Sequence, residues 1–117
     1  MAFKFEKLEI WKLAIEISYD VSELTKTFPR EELFILTSQM KKAADSISLN
    51  IAEGSTGQSN PEQIRFIGYA QRSAIEVVNC CYLAIKRGYI DDEVFGIFYK
   101  KLEILIIKIQ AFKKAIN

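Results

Sequence analysis

The chain has 117 residues, of which 50% are hydrophobic and 26% are charged, and it carries a formal net charge of +1. This composition excludes a disordered chain, and the length suits one domain, residues 1–117, that can bury a core without disulfide or metal staples. The near-zero charge does not by itself indicate a nucleic-acid partner, and because no long apolar run or signal-peptide core occurs, we expect no membrane segment.

Apolar residues recur at helical spacing through two segments in the first half of the chain. The first predicted helix covers about 6–26, with Leu8, Trp11 and Ile15 on one face and four residues that widen it, Ile10, Ala14, Ile17 and Val21. Pro29 in "TFPREE" ends this helix, because proline disfavours helical backbone in the residue before it. The second predicted helix covers about 30–53, with Gly54 as a left-handed cap. Its apolar stripe consists of Leu33, Leu36, Met40, Ala44, Ile47 and Ile51.

Two further helices follow from capping residues and periodicity. The third covers about 61–87, with Asn60 as N-cap, Gln63 as its capping-box partner and Gly88 as the terminating glycine. The fourth covers about 92–115 and has Asp91 as N-cap. Its apolar stripe is Val94, Phe98, Leu102, Leu105, Ile109, Phe112 and Ile116. Because the connections are short and no stretch alternates with strand periodicity, we predict an all-α fold, an antiparallel up-and-down four-helix bundle.

The apolar surface is wider than one four-helix bundle needs. Residues 104–107, all isoleucine or leucine, point in directions that span most of the fourth helix. The third helix has two apolar stripes about 100° apart, whereas a bundle helix needs about three inward positions in seven. The surplus would remain exposed on a monomer, which soluble proteins avoid. We therefore predict self-association.

The segment "SISLNIAEG" places polar side chains in line on the second helix. Ser46, Asn50 and Glu53 fall at i, i+4 and i+7 and so share one face. The same seam includes Gln39 and Gly54 on this helix and, on the third helix running antiparallel beside it, Ser73 and Glu76. Three interpretations stay open: a hydrogen-bonded seam that fixes the register of the two helices, a ligand or active site, and a subunit interface. For the seam, we expect Asn50→Ala to be more destabilising than Ser46→Ala.

Several motifs together resemble one family of small helical proteins. They are "FEKLEIW" at 5–11, "FP" at 28–29, Glu32, Gln39, "KKAADSISLNIAEG" at 41–54, Ala70, "RSAIE" at 72–76 and "GYI" at 88–90. The chain resembles the four-helix-bundle proteins encoded in intervening sequences of bacterial 23S rRNA genes, to which the accessory variability determinant of diversity-generating retroelements looks related. The resemblance implies a ring-like homopentamer without enzyme activity that binds nucleic acid through a basic surface of the ring. A reverse transcriptase is a further implied partner.

Basic residues on the second and third helices are the candidates for that surface. Lys41 and Lys42 lie where the resembling family often has arginine, and Arg65 and Arg72 lie on the neighbouring helix. The fourth helix adds a basic excess from Lys100, Lys101, Lys108, Lys113 and Lys114. The five tyrosines could stack bases, although core and interface positions are commoner for tyrosine. Two functions remain: an RNA- or DNA-binding adaptor, favoured by a clustered basic rim, and a protein-interaction scaffold, favoured by an exposed apolar groove.

Catalytic and metal-binding motifs are lacking in the sequence. With no histidine, the commonest general base and metal ligand is missing. No phosphate-binding loop, nucleophile elbow or zinc spacing occurs either, so we expect no enzyme activity, no metal and no cofactor. The adjacent residues Cys80 and Cys81 are poorly placed to bridge each other on a helix, which indicates reduced thiols in a cytoplasmic protein.

Overall fold

Four long helices account for most of the chain in the computed structural model, which describes residues 2–57 and 59–117. They are α1 (Glu9–Thr25), α2 (Ser38–Gly54), α3 (Asn60–Lys86) and α4 (Asp92–Ala115). A 3-10 turn, Lys4–Lys7, precedes α1, and a second 3-10 turn, Arg30–Glu32, continues into a π-helical segment, Leu33–Thr37, before α2. No strand occurs among the described residues, which confirms the predicted all-α fold.

The four helices pack as an antiparallel bundle. Each helix contacts the next in sequence, and α1 also contacts α4, which closes the bundle. Ser46 of α2 lies against Ser73 of α3, and Gly54 lies against Phe66, so positions in the two helices pair in opposite order. The bundle measures 43 × 23 × 22 Å, close to the length of about 40 Å expected for the 27 residues of α3. None of the described helices combines the length and the apolar character needed to cross a membrane.

Two of the predicted helix ends are confirmed by their hydrogen bonds. The carboxylate of Asp91 accepts the backbone N–H of Val94 at 2.8 Å, as an N-cap does. Gly88 follows α3 with φ = +78°, and the N–H of Tyr89 donates to the carbonyl of Ala84 at 2.9 Å. This is the hydrogen-bonding pattern of a Schellman motif, whose left-handed backbone glycine adopts without strain.

Two other predicted helix ends are wrong. Ser59, not Asn60, is the N-cap of α3, because its hydroxyl accepts the N–H of Glu62 at 3.3 Å. Gly54 is not a left-handed cap: it is the last residue of α2, and its φ is not positive. A Cβ at this position would lie 3.0 Å from the Cβ of Phe66. The absence of a side chain at Gly54 therefore allows α3 to approach closely.

The beginnings of α1 and α2 also differ from the prediction. Leu8 has extended backbone, with φ = −75° and ψ = 124°, so a 3-10 turn ends before α1 begins at Glu9. Glu32 accepts the N–H of Leu36 at 3.3 Å and caps a π-helical segment where a continuous α-helix was predicted. The wider π turn changes the helical phase, and Leu33, predicted to lie in the core, is 48% exposed.

The core follows the apolar stripes that run the full length of each helix. The buried apolar residues of α1 are Ile10, Ala14, Ile17 and Val21, and those of α4 are Phe98, Leu102, Leu105 and Ile109. These four come from the predicted stripe of α4, whose other members, Val94, Phe112 and Ile116, are partly buried. Ile15, predicted on the main face of α1, is 44% exposed. Ser18 and Ser22 continue the helical stripe of Ile15, so that stripe contains few apolar residues. The longer apolar stripe, from Ile10 to Val21, packs into the core instead.

Both cysteines belong to the core. Cys80 and Cys81 are free and buried, as predicted. Burial raises the pKa of Cys80 to about 11 and that of Cys81 to about 12, because a thiolate loses its hydration there. Both side chains therefore remain protonated thiols that pack as small apolar groups.

Candidate nucleic-acid interface

The polar side chains predicted along α2 converge on one hydroxyl. Ser46 Oγ lies 2.8 Å from Ser73 Oγ of α3, and either hydroxyl can donate. Asn50 Nδ2 donates to Ser46 Oγ at 2.9 Å and to the Ser46 carbonyl at 2.8 Å. Ser46 thus joins a partner on its own helix to a partner on the facing helix. We call Ser46, Asn50 and Ser73 the serine cluster.

Three other residues predicted for this seam lie outside the serine cluster. Gln39, Glu53 and Glu76 are exposed, and in the described part of the chain no hydrogen bond joins them to the cluster. At the level of Glu53, α3 contacts Gly54 instead, so the carboxylate stays in water. The predicted seam is therefore wrong in its extent, and the hydrogen bonds that do form fit its structural interpretation.

Basic side chains line a groove between the first half of α3 and the last turns of α4. It has two adjoining parts, of about 360 and 610 Å³, which share the lining residues Gln71 and Lys113. No aspartate or glutamate is among the described residues that line it. We call this surface the basic groove and define it by Arg65, Gly68, Tyr69, Arg72, Lys113 and Lys114.

Helix geometry explains why these cations meet. Arg65 and Arg72 are seven residues apart, so they lie on one face of α3, with Gly68 between them. Lys113 Nζ lies 3.8 Å from the position that a Cβ on Gly68 would take. The glycine therefore leaves room for the ammonium group against α3. Lys113 and Lys114 stand in the last turn of α4, where the helix dipole favours positive charge.

Arg65 contacts one carboxylate and two aromatic rings. Its guanidinium pairs with Glu62, one turn earlier on α3. Arg65 Cζ lies 5.4 Å from the ring centre of Phe66 and 6.0 Å from that of Tyr69. These two rings meet edge to face, with centroids 5.8 Å apart. Tyr69 is 40% exposed, so the basic groove presents an aromatic side chain to solvent beside its cations.

Lys41 and Lys42, the other predicted nucleic-acid contacts, lie elsewhere on the bundle. Both are exposed on α2. The contact between Ser46 and Ser73 sets the register of the two helices. It places the level of Lys41 about six residues, or about 9 Å along the axis, from the level of Arg72. Arg65 and Arg72 both line the basic groove, whereas Lys41 and Lys42 are not among its described lining residues.

Lys113 and Lys114 of α4 belong to the basic groove, which was not predicted. The sequence indicated them only as part of the general excess of basic residues on the fourth helix. Antiparallel pairing of the third and fourth helices across residues 88–91 would put Lys113 within one turn of Gly68. That pairing was the available signal, because it turns a general charge excess into a specific juxtaposition.

An apolar groove lies farther along the same α3–α4 face. Its volume is about 280 Å³, and its lining is Ile75, Val78, Tyr99, Glu103, Ile106 and Ile107. Ile107 is 58% exposed and Ile75 is 53% exposed, so part of the predicted surplus of apolar surface is open to solvent on the single chain. Ile75 lines both grooves, which makes the apolar groove a direct neighbour of the basic groove.

Glu32 forms a separate buried polar site that the sequence marked only as a motif residue. Its carboxylate accepts the Tyr89 hydroxyl at 2.6 Å, an Arg87 N–H at 3.2 Å and the Leu36 backbone N–H at 3.3 Å. The hydrogen bond from Tyr89, aided by Leu36 and Arg87, lowers the pKa of Glu32 although burial opposes the shift. These bonds fasten the segment before α2 to the end of α3, which is a structural role.

The chain is similar to known proteins in sequence and in fold. Residues 6–111 match the family described as 23S rRNA-intervening sequence protein. A protein of unknown function from the S23 ribosomal protein family of Bacteroides thetaiotaomicron has a crystal structure with a TM-score of 0.83 to this chain and 22% sequence identity, covering 90% of this chain and 98% of that one. At this identity the likeness shows the fold alone. No curated protein matches the chain, and the relationship to retroelement proteins stays a prediction.

Proposed function

Because the chain belongs to the 23S rRNA-intervening sequence protein family, we propose that it is a non-enzymatic, nucleic-acid-binding adaptor that works as a homo-oligomeric ring. The observation that carries this proposal is the basic groove, where four cationic side chains meet without a lining carboxylate. The family description refers to ribosomal RNA, so RNA is the first ligand to test, with DNA beside it.

The distribution of charge supports a phosphate-binding surface better than the total charge does. The whole chain carries a formal net charge of only +1, so the cations of the basic groove are a local excess. Closely spaced cations attract the phosphate backbone and release its condensed counterions, which makes binding sequence-tolerant and salt-dependent. Arg72 can also form a bidentate contact with phosphate, which lysine cannot, whereas the guanidinium of Arg65 is paired with Glu62.

Assembly into a ring would multiply this surface. The apolar groove lies in the middle part of the α3–α4 face and supplies an apolar contact, while the basic groove lies towards one end of the bundle. A head-to-tail contact repeated around a closed ring would bring one copy of the basic groove from each chain to the same rim. We take the number of chains to be about five, as the family resemblance implies, and each copy adds phosphate contacts.

A non-enzymatic role follows from the chemistry of the polar groups. The hydroxyls of Ser46 and Ser73 bond to each other, and the sequence offers no histidine to activate either one. We therefore expect no reaction to be catalysed at the serine cluster. The free thiols of Cys80 and Cys81 fit a reducing compartment, which supports the cytoplasm as the place of action.

A protein-interaction scaffold is the second candidate function. The observation that favours it is the apolar groove, whose lining residues Ile75 and Ile107 are more than half exposed. An exposed apolar groove of this kind is typical of a protein-binding surface. In this alternative the ring docks another protein, for example a reverse transcriptase, and the cations of the basic groove only keep the ring soluble.

The test is a fluorescence-anisotropy titration with labelled structured RNA and duplex DNA at low salt. Arg72→Glu combined with Lys113→Glu should lower the affinity by more than about tenfold, because it reverses two charges in the groove. Lys41→Glu combined with Lys42→Glu is the matched control, since it changes the net charge equally at a distant site. We expect the control to retain most of the affinity.

The control variant also decides which basic surface matters. Loss of binding in the Lys41 and Lys42 double variant, with binding kept in the Arg72 and Lys113 double variant, would move the site to α2. If the unaltered protein binds neither ligand at low salt, the proposed nucleic-acid function is wrong and the scaffold function remains. Light scattering on each variant verifies that the particle is intact.

A further inference from the structure

The tyrosines of this chain differ in what surrounds them, and two are unsuited to nucleic acid. The hydroxyl of Tyr89 donates to the buried carboxylate of Glu32 at 2.6 Å, so this side chain serves the fold. Tyr19 is exposed, but it lies on a surface shared with Asp20 and Glu23. Asp20 pairs with Lys101 and Glu23 pairs with Lys26, so the lysines nearest this ring are already engaged with carboxylates.

Two more tyrosines belong to apolar surroundings. Tyr82 and Tyr99 both contact Phe95, with ring centroids 4.9 and 5.8 Å away, and Tyr99 lines the apolar groove. Tyr69 has a similar exposure, 40%, but it differs in lying in the basic groove, where no carboxylate is among the described lining residues. Tyr69 is therefore the tyrosine placed to meet a nucleic-acid base.

Cations flank Tyr69 on both sides along one helix face. Arg65, Tyr69 and Arg72 fall at i, i+4 and i+7, so they form a single stripe on α3 that spans about 10 Å. Lys113 reaches this stripe from α4 and lies over Gly68, which is next to Tyr69 in sequence. Tyr69 thus lies between Arg65 and Arg72 along its own helix, with Lys113 of α4 beside the same stripe.

The arrangement suits a nucleic acid whose bases are not already stacked. In a duplex the bases stack on one another, and a groove of this size would meet only the phosphate backbone. In a single strand the bases are free to stack on aromatic side chains or on guanidinium planes, while the phosphates follow nearby cations. Tyr69 would make no contact with a duplex but would contribute directly to the binding of a single strand.

We infer that the basic groove binds single-stranded nucleic acid, with a base stacked on Tyr69 and the adjoining phosphates held by Arg72 and Lys113. This inference rests on the proposed function and names the form of nucleic acid that the groove selects. Arg65 supports the ring rather than a phosphate, because its Cζ lies over the Tyr69 ring at 6.0 Å from the ring centre and its guanidinium pairs with Glu62.

The test compares three labelled ligands of equal length on the unaltered protein. They are an oligothymidine of about 12 nucleotides, the duplex that it forms with oligodeoxyadenosine, and an abasic strand with the same phosphates. We expect the oligothymidine to bind about 5- to 150-fold more tightly than the abasic strand, which is the range for one stacked base. The duplex should bind as weakly as the abasic strand.

Two variants then assign the preference to the ring. Tyr69→Leu keeps an apolar side chain but removes the aromatic face, so it should lower the affinity for oligothymidine to the level of the abasic strand. Tyr69→Phe keeps the ring and should retain the affinity of the unaltered protein. Thermal melting of each variant checks the fold, and the abasic comparison needs no substitution at all.

The outcomes separate this inference from the proposed function. Equal affinity for all three ligands, or an equal loss for all three in Tyr69→Leu, overturns single-strand selection while phosphate binding by the groove stands. Binding to none of the ligands at low salt overturns both. A preference for oligothymidine that Tyr69→Leu removes and Tyr69→Phe keeps supports the inference.

Discussion

Replacing Ser46 by alanine tests whether the serine cluster is a structural link between α2 and α3. The substitution removes two hydrogen bonds, the 2.8 Å contact with Ser73 Oγ and the 2.9 Å bond from Asn50 Nδ2. A net hydrogen bond contributes about 0.5–1.5 kcal/mol, so the free energy of unfolding should fall by about 1–3 kcal/mol. The high helix propensity of alanine offsets part of this loss, which places the expected value in the lower half of the range.

Replacing Asn50 by alanine should be less destabilising, by about 0.5–1.5 kcal/mol. Both hydrogen bonds that Asn50 Nδ2 donates go to Ser46. After the substitution the Ser46 hydroxyl still contacts Ser73, and the Ser46 carbonyl keeps its helical N–H, so no partner is left unpaired. This order is the reverse of the one expected from the sequence.

A double-mutant cycle with Ser46→Ala and Ser73→Ala isolates the contact between the two helices. The double variant should lose about 0.5–1.5 kcal/mol less than the sum of the single variants, because neither hydroxyl is then left without its partner. Urea unfolding followed by circular dichroism measures this at one protein concentration, since the stability of an oligomer depends on concentration. Additive losses, or a larger loss for Asn50→Ala than for Ser46→Ala, would refute the reasoning.

Three further predictions concern the glycines, the acid limb and the assembly. Gly88→Ala should lower the free energy of unfolding by about 1–2 kcal/mol, because φ is +78° there. Gly96→Ala should raise it by about 0.5–1 kcal/mol, because Gly96 lies in α4 with open space around it. Shifts of the melting temperature in the same direction for both variants would contradict this prediction. Hydrogen bonding lowers the pKa of Glu32 below its ordinary value of 4.5, so the free energy of unfolding should decrease as the pH falls through the lowered pKa. Glu32→Gln should reduce this decrease in an acid-unfolding experiment, and an unchanged pH dependence would contradict the prediction. Ile107→Asp should reduce the particle from about five chains to one, as measured by light scattering. The circular dichroism spectrum should be unchanged, because Ile107 is 58% exposed on the single chain. A particle of unchanged mass would show that Ile107 is not in the interface.

Helix positions could be predicted from the sequence wherever a stripe is long and its end is marked locally. The core stripe of α4, from Phe98 to Ile109, is buried as its three- and four-residue steps indicate. Asp91 and Gly88 act at the predicted ends because their capping bonds reach only a few residues. The sequence placed Ser46 and Ser73 on facing helices, but it did not predict their contact, which depends on the register in which α2 and α3 pack.

Features that depend on distant partners could not be predicted. The π-helical segment before α2 is capped by Glu32, whose carboxylate is bonded by Arg87 and Tyr89, more than 50 residues away in sequence. No local pattern in "PREELF" indicates those partners. The basic groove also lacks a local motif, and only the antiparallel pairing of α3 and α4 across residues 88–91 indicates that Lys113 comes close to Gly68.

The salt dependence of binding tests the central claim, phosphate binding by the basic groove, most directly. For a single strand, the logarithm of the association constant should fall linearly with the logarithm of the salt concentration, with a slope of about −0.7 for each phosphate neutralised. Arg72→Gln should make this slope shallower by about 0.7 for each groove that the strand occupies, because it removes one phosphate contact per groove while leaving the fold intact. Binding that does not change with salt, or a slope that Arg72→Gln leaves unaltered, would contradict the account.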